Sequence, residues 1–475
     1  MGSLEYFEDE EFREMLNEYE QTVNSGQMVF MDAEDLADIA DYYHLHGRYE
    51  ESEQAIGRAL ELEPDSPIAW SFKIHEALSR KDYETAEDYL DQIIEREHPE
   101  YIYCRAEIWI TQGMIDKADE YLRDCQKYVS PLEHQDYVYD VVSLWTDYNC
   151  SEKAMEWMMR VAPDDMGDPD EFKELMGRAY FGIGDYDESE RIFNELLDKN
   201  PFEKRYWHAL ANAQYMKEDY GASVTSSEYA IAIDPEDPEG IMAKANALFR
   251  LENFEEALKY YERYAEKKKE NDEAALLYQG CCLINLKRRD EALERLLAAE
   301  KAAPADSPYL AEIYQELGFV YSELHMPEMA LQCIDKTKNL NCDQADMLVF
   351  RGHILLACGN LDEAQKAYRQ ALKTSNFSPQ TLMRIIVSVY DNHFLESAYR
   401  MFQKYFSIID ETCDEGYSYM ALCCHDLLYT DEYLHYLKEA CRRNPQEARQ
   451  VLGHLFPEGA KTEEYYEYAK KKLKT

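Results

Sequence analysis

Apolar residues three and four apart recur in short runs along almost the whole chain, and the runs are separated by turns rich in Gly, Asp and Tyr. A few positions after each turn, one small residue opens the next apolar run. Ser52, Ala86, Ala118, Ala154, Ser189, Ser223, Ala257, Ala292, Ala330, Ala364 and Ala398 hold this slot, 32 to 38 residues apart, and Tyr433 occupies it a twelfth time. That period predicts about twelve helix–turn–helix units over residues 33–447.

The residues within each period also repeat. The unit beginning near Asp170 carries Met176 and Gly177, then Tyr180, the turn Gly184-Asp185-Tyr186, the small Ser189, the large Phe193 and Pro201 at its exit. Tyr314, Leu317, Gly318, Tyr321, Ala330 and Ile334 hold the same offsets, as do Leu348, Gly352, Leu355, Gly359, Ala364 and Tyr368. Gly177, Ala211, Ala245, Gly280, Gly318 and Gly352 are small where paired helices must approach closely, and Pro64, Pro201, Pro235, Pro304 and Pro445 stop the second helix. One such hairpin leaves its apolar stripe uncovered, so neighbours must stack to form a continuous core.

This pattern resembles the tetratricopeptide repeat family, whose units read W-x2-L-G-x2-Y, then A-x3-F, then P; Trp207, Leu210, Ala211 and Pro235 follow it in one unit. The resemblance covers most of the chain and implies an all-α fold, an α-α superhelix or right-handed solenoid. Residues 1–32, with Phe7, Phe12, Met15, Leu16 and Tyr19 on an acidic amphipathic helix, read as an N-terminal cap, and residues 448–475 read as C-terminal capping helices. The last of these should start at Thr462, with Glu463 and Glu464 in its first turn and Lys470 to Lys474 at its end, the sense the helix dipole favours.

In this family, function generally resides on the concave face, lined by the first helix of each unit. Register arithmetic puts Arg178, Arg205, His208, Asn212, Tyr215, Met242, Asn246 and Phe249 there in units five to seven, a mixture suited to an extended or helical peptide. Earlier units present Asp38, Asp41, Glu107, Asp140 and Asp147, an acidic face that would steer a basic partner segment. Asn212 and Asn246 match one well-known carboxylate-clamp variant, but its lysines are missing at the corresponding offsets.

Charge sharpens this picture. The 475 residues hold 96 Asp and Glu against 50 Lys and Arg, a formal net charge of -46. Residues 1–200 hold 51 acidic and 17 basic side chains, and residues 201–475 hold 45 and 33, so most of the acidity belongs to the first units. Nucleic acid and anionic membranes are thereby disfavoured as partners, since affinity for both comes largely from Lys and Arg. The runs Lys267-Lys268-Lys269 and Lys287-Arg288-Arg289 sit among Glu and Asp and read as solvated turns. No secretory or membrane-spanning segment is evident, which makes a cytoplasmic location the expectation.

Chemical signatures are sparse. Twelve cysteines without a C-x-x-C pair read as free, mostly buried thiols, and neither a metal nor a cofactor is expected from their spacing. His44 and His46 should face apart on a helix, and the Asp164-Asp165 and Asp168–Glu171 clusters need no ion to explain them. No phosphate loop, H-E-x-x-H or G-x-S-x-G occurs. The expectation is a non-catalytic interaction scaffold for a protein or peptide partner; a ligand-responsive sensor and a structural subunit of a larger complex are the alternatives.

Overall fold

Left-handed backbone at one residue of every intra-hairpin turn sets the architecture. The computed structural model describes residues 7, 10–25, 31–130, 134–160, 169–267, 272–409, 413–457 and 459–473. Among them only helices and turns occur, with no strand, and the chain divides into two compact units, Met1–Pro235 and Glu236–Thr475.

The first unit holds α1 (Glu10–Asn24), α2 (Ala33–Leu45), α3 (Tyr49–Leu62), α4 (Pro67–Ser79), α5 (Tyr83–Leu90), α6 (Pro99–Thr111), α7 (Ile115–Gln126), α8 (His134–Asp147), α9 (Ser151–Met158), α10 (Pro169–Gly182), α11 (Tyr186–Lys199), α12 (Lys204–Met216) and α13 (Tyr220–Ile233). The second holds α14 (Pro238–Arg250), α15 (Phe254–Lys267), α16 (Glu273–Asn285), α17 (Arg289–Ala302), α18 (Leu310–Glu323), α19 (Pro327–Lys336), α20 (Gln344–Ala357), α21 (Leu361–Thr374), α22 (Pro379–Asp391), α23 (Leu395–Ile408), α24 (Tyr417–Asp426), α25 (Thr430–Arg443), α26 (Pro445–Leu452) and α27 (Thr462–Lys472). From α2 to α25 consecutive helices pair as hairpins, and within each unit the hairpins stack in chain order as an α-α solenoid. Pro445, expected to stop one helix, also occupies the first position of the next.

Each hairpin turns in the same way. The first helix ends, one residue adopts positive φ, and the following N–H bonds back to the carbonyl five residues earlier, the Schellman arrangement. Asp185 N donates to Tyr180 O at 3.0 Å after Gly184, Asp219 N to Gln214 O at 2.9 Å after Glu218, and Tyr429 N to Cys424 O at 2.8 Å after Leu428. Several turns then cap the second helix at once: Asp82, Asp185 and Asp219 accept from the backbone N–H three residues on. The turn in these hairpins is therefore three residues long: one closing the first helix, one left-handed and one capping the second.

Tight packing follows from the small slot. Ser52 and every Ala or Ser in the corresponding slots down to Ala398 are at most 2% exposed. A Cβ added at Gly177 would sit 2.9 Å from the Phe193 ring, one at Gly280 would meet Leu296 at 2.7 Å, and one at Gly352 would meet Tyr368 at 2.3 Å. The large residue four after the small slot thus rests on the backbone of the partner helix, and burying such a side chain contributes roughly 1.5–3 kcal/mol. Two tryptophans repeat a second device: Trp70 Nε1 donates to Pro64 O at 2.9 Å and Trp207 Nε1 to Pro201 O at 2.8 Å, tying the first helix to the preceding exit turn.

At the start of the chain, Phe12 and Tyr19 of α1 are buried against Leu36, Ile39 and Tyr43 of α2. At the other end, Phe456 stacks on Tyr465 of α27 at 3.9 Å. The acidic first turn and basic last turn of α27 lie as its sequence suggests, although Lys474 is outside the described residues. All twelve cysteines are free.

Two stability outcomes follow. Gly184 has φ +84° with open space around its Cβ position, so Gly184→Ala should destabilise by about 1 kcal/mol through backbone strain alone. Leu428 has φ 62° and is 84% exposed, so Leu428→Gly should instead stabilise by roughly 0.5–1 kcal/mol. Opposite shifts in thermal midpoint are expected, and shifts of the same sign would refute the turn account. Ser189 supplies the second case. Its buried Oγ has no hydrogen-bond partner, whereas Ser52 donates to Ala40 O at 2.8 Å and Ser223 to Ala211 O at 2.9 Å. Ser189→Ala should raise stability by about 1 kcal/mol while Ser52→Ala and Ser223→Ala lower it, as read by denaturant unfolding.

Candidate partner-binding groove

The residue eleven positions before the small slot lies on the first helix of each hairpin. Through the first unit this column reads Asp41, His75, Glu107, Ser143, Arg178 and Asn212; through the second it reads Asn246, Cys281, Phe319, His353, Val387 and Leu422. The chemistry changes from charged to largely apolar along the chain.

In the second unit this change produces a groove. A cavity of about 660 Å³ is lined from Ile284 on α16, through Glu316 and Phe319 on α18, Asp346–His353 on α20 and Met383–Asp391 on α22, to Tyr419 on α24 and Glu447 on α26. A second cavity of about 540 Å³ shares Asp391, Glu415, Tyr419 and Glu447 with it and extends past Leu422 to Val451. Apart from Glu415, in the loop before α24, every residue named here in the first cavity comes from the leading helix of a pair or from α26.

Apolar walls and unbalanced carboxylates characterise the groove. Phe319 is 41% exposed, a high value for a phenylalanine, and Phe350, Met347, Met383 and Val387 line the same groove. Burial and then the neighbouring Glu312 push the Glu316 carboxyl up to about 7. Burial also raises Asp391 and lowers His353, whose Nδ1 lies 3.1 Å from Ser388 Oγ. Arg384, the groove's one arginine, pairs with Asp346. Glu447 Oε1 accepts from Gly416 N at 3.1 Å, while its Oε2 is buried without a hydrogen-bond partner. The groove therefore offers carboxylate acceptors beside apolar surface, complementary to a cation next to a large apolar group.

The residues expected to bind a peptide lie on the leading helices α10, α12 and α14, several of them already paired within the chain. In the first unit, Arg178 donates to Asp147 at 2.7 Å, so one expected cation pairs with one expected steering carboxylate, both well exposed. Arg205 lies 3.4 Å from Glu174 and over the Tyr206 ring, His208 is buried, Asn212 is exposed, and Tyr215 packs edge-on to Tyr220. In the second unit, Met242 is half-buried, Asn246 Oδ1 accepts from Tyr261 at 2.8 Å, and Phe249 packs on Phe254 and Tyr278. The Asn246 oxygen and the Phe249 ring thus already have partners on α15 and, for the ring, on α16 of the next hairpin.

Acidic positions are likewise partly engaged. Glu107 accepts from His75 at 2.7 Å, and Asp140 accepts from Tyr103 at 2.8 Å in a tyrosine-lined cavity of about 600 Å³. Burial raises Asp41 and Asp140 above the usual carboxylate range, and Asp38 is partly buried. Lys267 pairs with Glu236, Arg288 with Glu291 and Arg289 with Glu323, while Lys268 and Lys269 fall outside the described residues, as do Asp164, Asp165 and Asp168. His44 packs on Phe72 and Tyr49, and His46 Nδ1 lies 2.8 Å from Tyr42 O. Extending the eleven-residue column past Asn246 would have reached Phe319, His353 and Val387 from sequence alone.

Repeated helical hairpins with a small buried slot and a large residue four positions on define a helical-repeat protein. Sequence profiles described as tetratricopeptide repeat match residues 38–102, 175–238 and 345–376, and one described as anaphase-promoting complex, cyclosome, subunit 3 matches residues 216–299. The chain is a tetratricopeptide repeat protein. It is 28% identical over 200 residues to Protein FlbA of Caulobacter vibrioides, covering 42% of this chain and 33% of that protein. It is also 27% identical over 131 residues to serine/threonine-protein phosphatase 5 of Rattus norvegicus, covering 27% of this chain and 26% of that protein. The matched stretches thus span a third or less of these relatives. Yeast Tom70 aligns over 93% of this chain and 96% of its own, with a TM-score of 0.44 and 15% identity. No described helix is long and apolar enough to cross a membrane.

Glu316 gives the groove a measurable pH signature. Its carboxyl titrates near 7 in the folded chain against an ordinary 4.5, so its contribution to stability is complete below pH 4.5 and is lost as pH rises through 7. Glu316→Gln should therefore gain stability relative to wild type between pH 5 and pH 8, read as a difference in thermal midpoint. An identical difference at both pH values would refute the buried-carboxyl reading.

Proposed function

We propose that the chain is a non-catalytic scaffold that captures a peptide segment of a partner protein in the groove of its second unit. The segment presents a lysine or arginine beside a large apolar side chain. The observation that carries this reading is the exposed Phe319 surface flanked by Glu316, Asp391, Glu415 and Glu447, with the Glu447 Oε2 acceptor buried and unsatisfied. A buried acceptor without a partner costs about 1–3 kcal/mol, which a donor from a bound cation would offset. The apolar area beside it supplies affinity that the charge alone would not.

Most of the net charge of -46 lies in the first 200 residues, and this supports electrostatic steering of the same basic segment, with an on-rate that falls as salt rises. A second reading, a structural subunit packed along a larger protein, draws on the match of residues 216–299 to a subunit of a multiprotein complex.

Selection of a random peptide library on the full chain tests the proposal. Enriched peptides should carry Lys or Arg adjacent to Leu, Phe or Trp. Their affinity should fall at least about tenfold in Phe319→Asp and in Glu447→Gln. Binding should also strengthen from pH 5.5 to pH 7.5, because a cation favours the ionised form of Glu316. Peptides without a cation, or binding indifferent to both substitutions, would sink the groove; a natural partner still captured by both variants would favour the subunit reading.

A further inference from the structure

The first unit brings together, outside the groove, one side chain of one hairpin and two side chains of the next. His75 on α4 and Glu107 on α6 occupy the same column position in consecutive hairpins, and Cys104 lies one helical turn before Glu107 on the same face. One donor atom from each, an imidazole nitrogen, a thiol sulfur and a carboxylate oxygen, fall within 4.8 Å of one another. His75 Nε2 and the Glu107 carboxylate are already 2.7 Å apart.

We propose that His75, Cys104 and Glu107 form a transition-metal site, with Zn2+ the ion that this nitrogen, sulfur and oxygen set suits best. Zinc takes such donors at about 2.0–2.3 Å, so a tetrahedral ion needs donor separations of about 3.3–3.8 Å. The largest separation allowed here must close by about 1 Å, within reach of rotamer adjustment, and the histidine–carboxylate pair opens slightly to admit the ion. Three protein ligands leave a fourth position for water or a partner group, the pattern of an open site rather than a closed structural one.

Access and field fit the same assignment. Cys104 is 1% exposed, whereas the side chains of His75 and Glu107 are 27% and 12% exposed, which leaves an approach from the solvent side. Asp41 holds the preceding column position on α2 and interacts electrostatically with His75, adding a carboxylate that attracts a cation. On binding, the thiol releases its proton to solvent and the sulfur coordinates as thiolate, while the proton that His75 Nε2 directs at Glu107 leaves for solvent or moves to Nδ1, freeing that nitrogen for the ion. The ion would then tie the leading helices of two successive hairpins together, α4 to α6, replacing the direct His75–Glu107 contact that joins them without it.

Spectroscopic titration of the full chain with Co2+, followed by competition with Zn2+, tests the site in millimolar Mg2+ to occupy the many oxygen-only sites. One equivalent of Co2+ should develop a thiolate-to-metal charge-transfer band that Zn2+ abolishes, and Zn2+ should raise the thermal midpoint. Cys104→Ser should remove the band, and His75→Ala and Glu107→Gln should weaken binding at least about tenfold. Cys358→Ser, which alters an exposed thiol elsewhere, should leave the band unchanged. Because Cys104 is buried, the partly exposed Glu107→Gln keeps the test decisive if Cys104→Ser does not fold. Absence of the band in wild type, its survival in Cys104→Ser, or its loss in Cys358→Ser would overturn the proposal.

Discussion

Close approach of the two helices in each hairpin is the interaction on which the rest of the structure depends. It requires a small residue on the second helix, a small or absent Cβ on the first, and a turn short enough to bring them together. Gly280 facing Leu296 and Gly352 facing Tyr368 show how little room remains. The left-handed residue supplies the short turn, and at Lys81, Glu218, Lys287 and Leu428 a non-glycine residue accepts the strain to preserve it. Stacking then covers the stripe that a single hairpin leaves open, so stability is shared among neighbours rather than held by one centre.

Because packing fixes the slot and its large partner, the freedom to vary lies elsewhere on the leading helix. The column eleven residues before the slot is where the units differ. In the first unit it holds ionisable groups that mostly find partners within the chain, such as Arg178 with Asp147 and His75 with Glu107. In the second it turns apolar at Phe319 and Val387, and the carboxylates around them outnumber the cations, with Arg384 already paired. A repeat that keeps its backbone constant thus creates distinct chemical surfaces by changing a single column and its neighbours one turn away.

Sequence by itself determined the period, the hairpins, the exit prolines and the buried small slots, because each rests on local rules: 3.6-residue periodicity, turn chemistry and steric size. It also placed the charge, since that needs only counting. What the tertiary structure decided was which side chains of the leading helices are already engaged within the chain. Asn246 and Phe249 lie on a leading helix, and Tyr261 and Tyr278 engage them from 15 and 29 residues further along the chain, pairings that no local rule specifies. The meeting of His75 with Cys104 and Glu107 is of the same kind: a histidine on one hairpin and a cysteine–glutamate turn on the next lack the close spacing by which a metal motif is recognised, and stacking makes them neighbours. Burial of Glu316 and the unsatisfied Glu447 oxygen belong there too, because desolvation is a property of the packed groove and not of the residue.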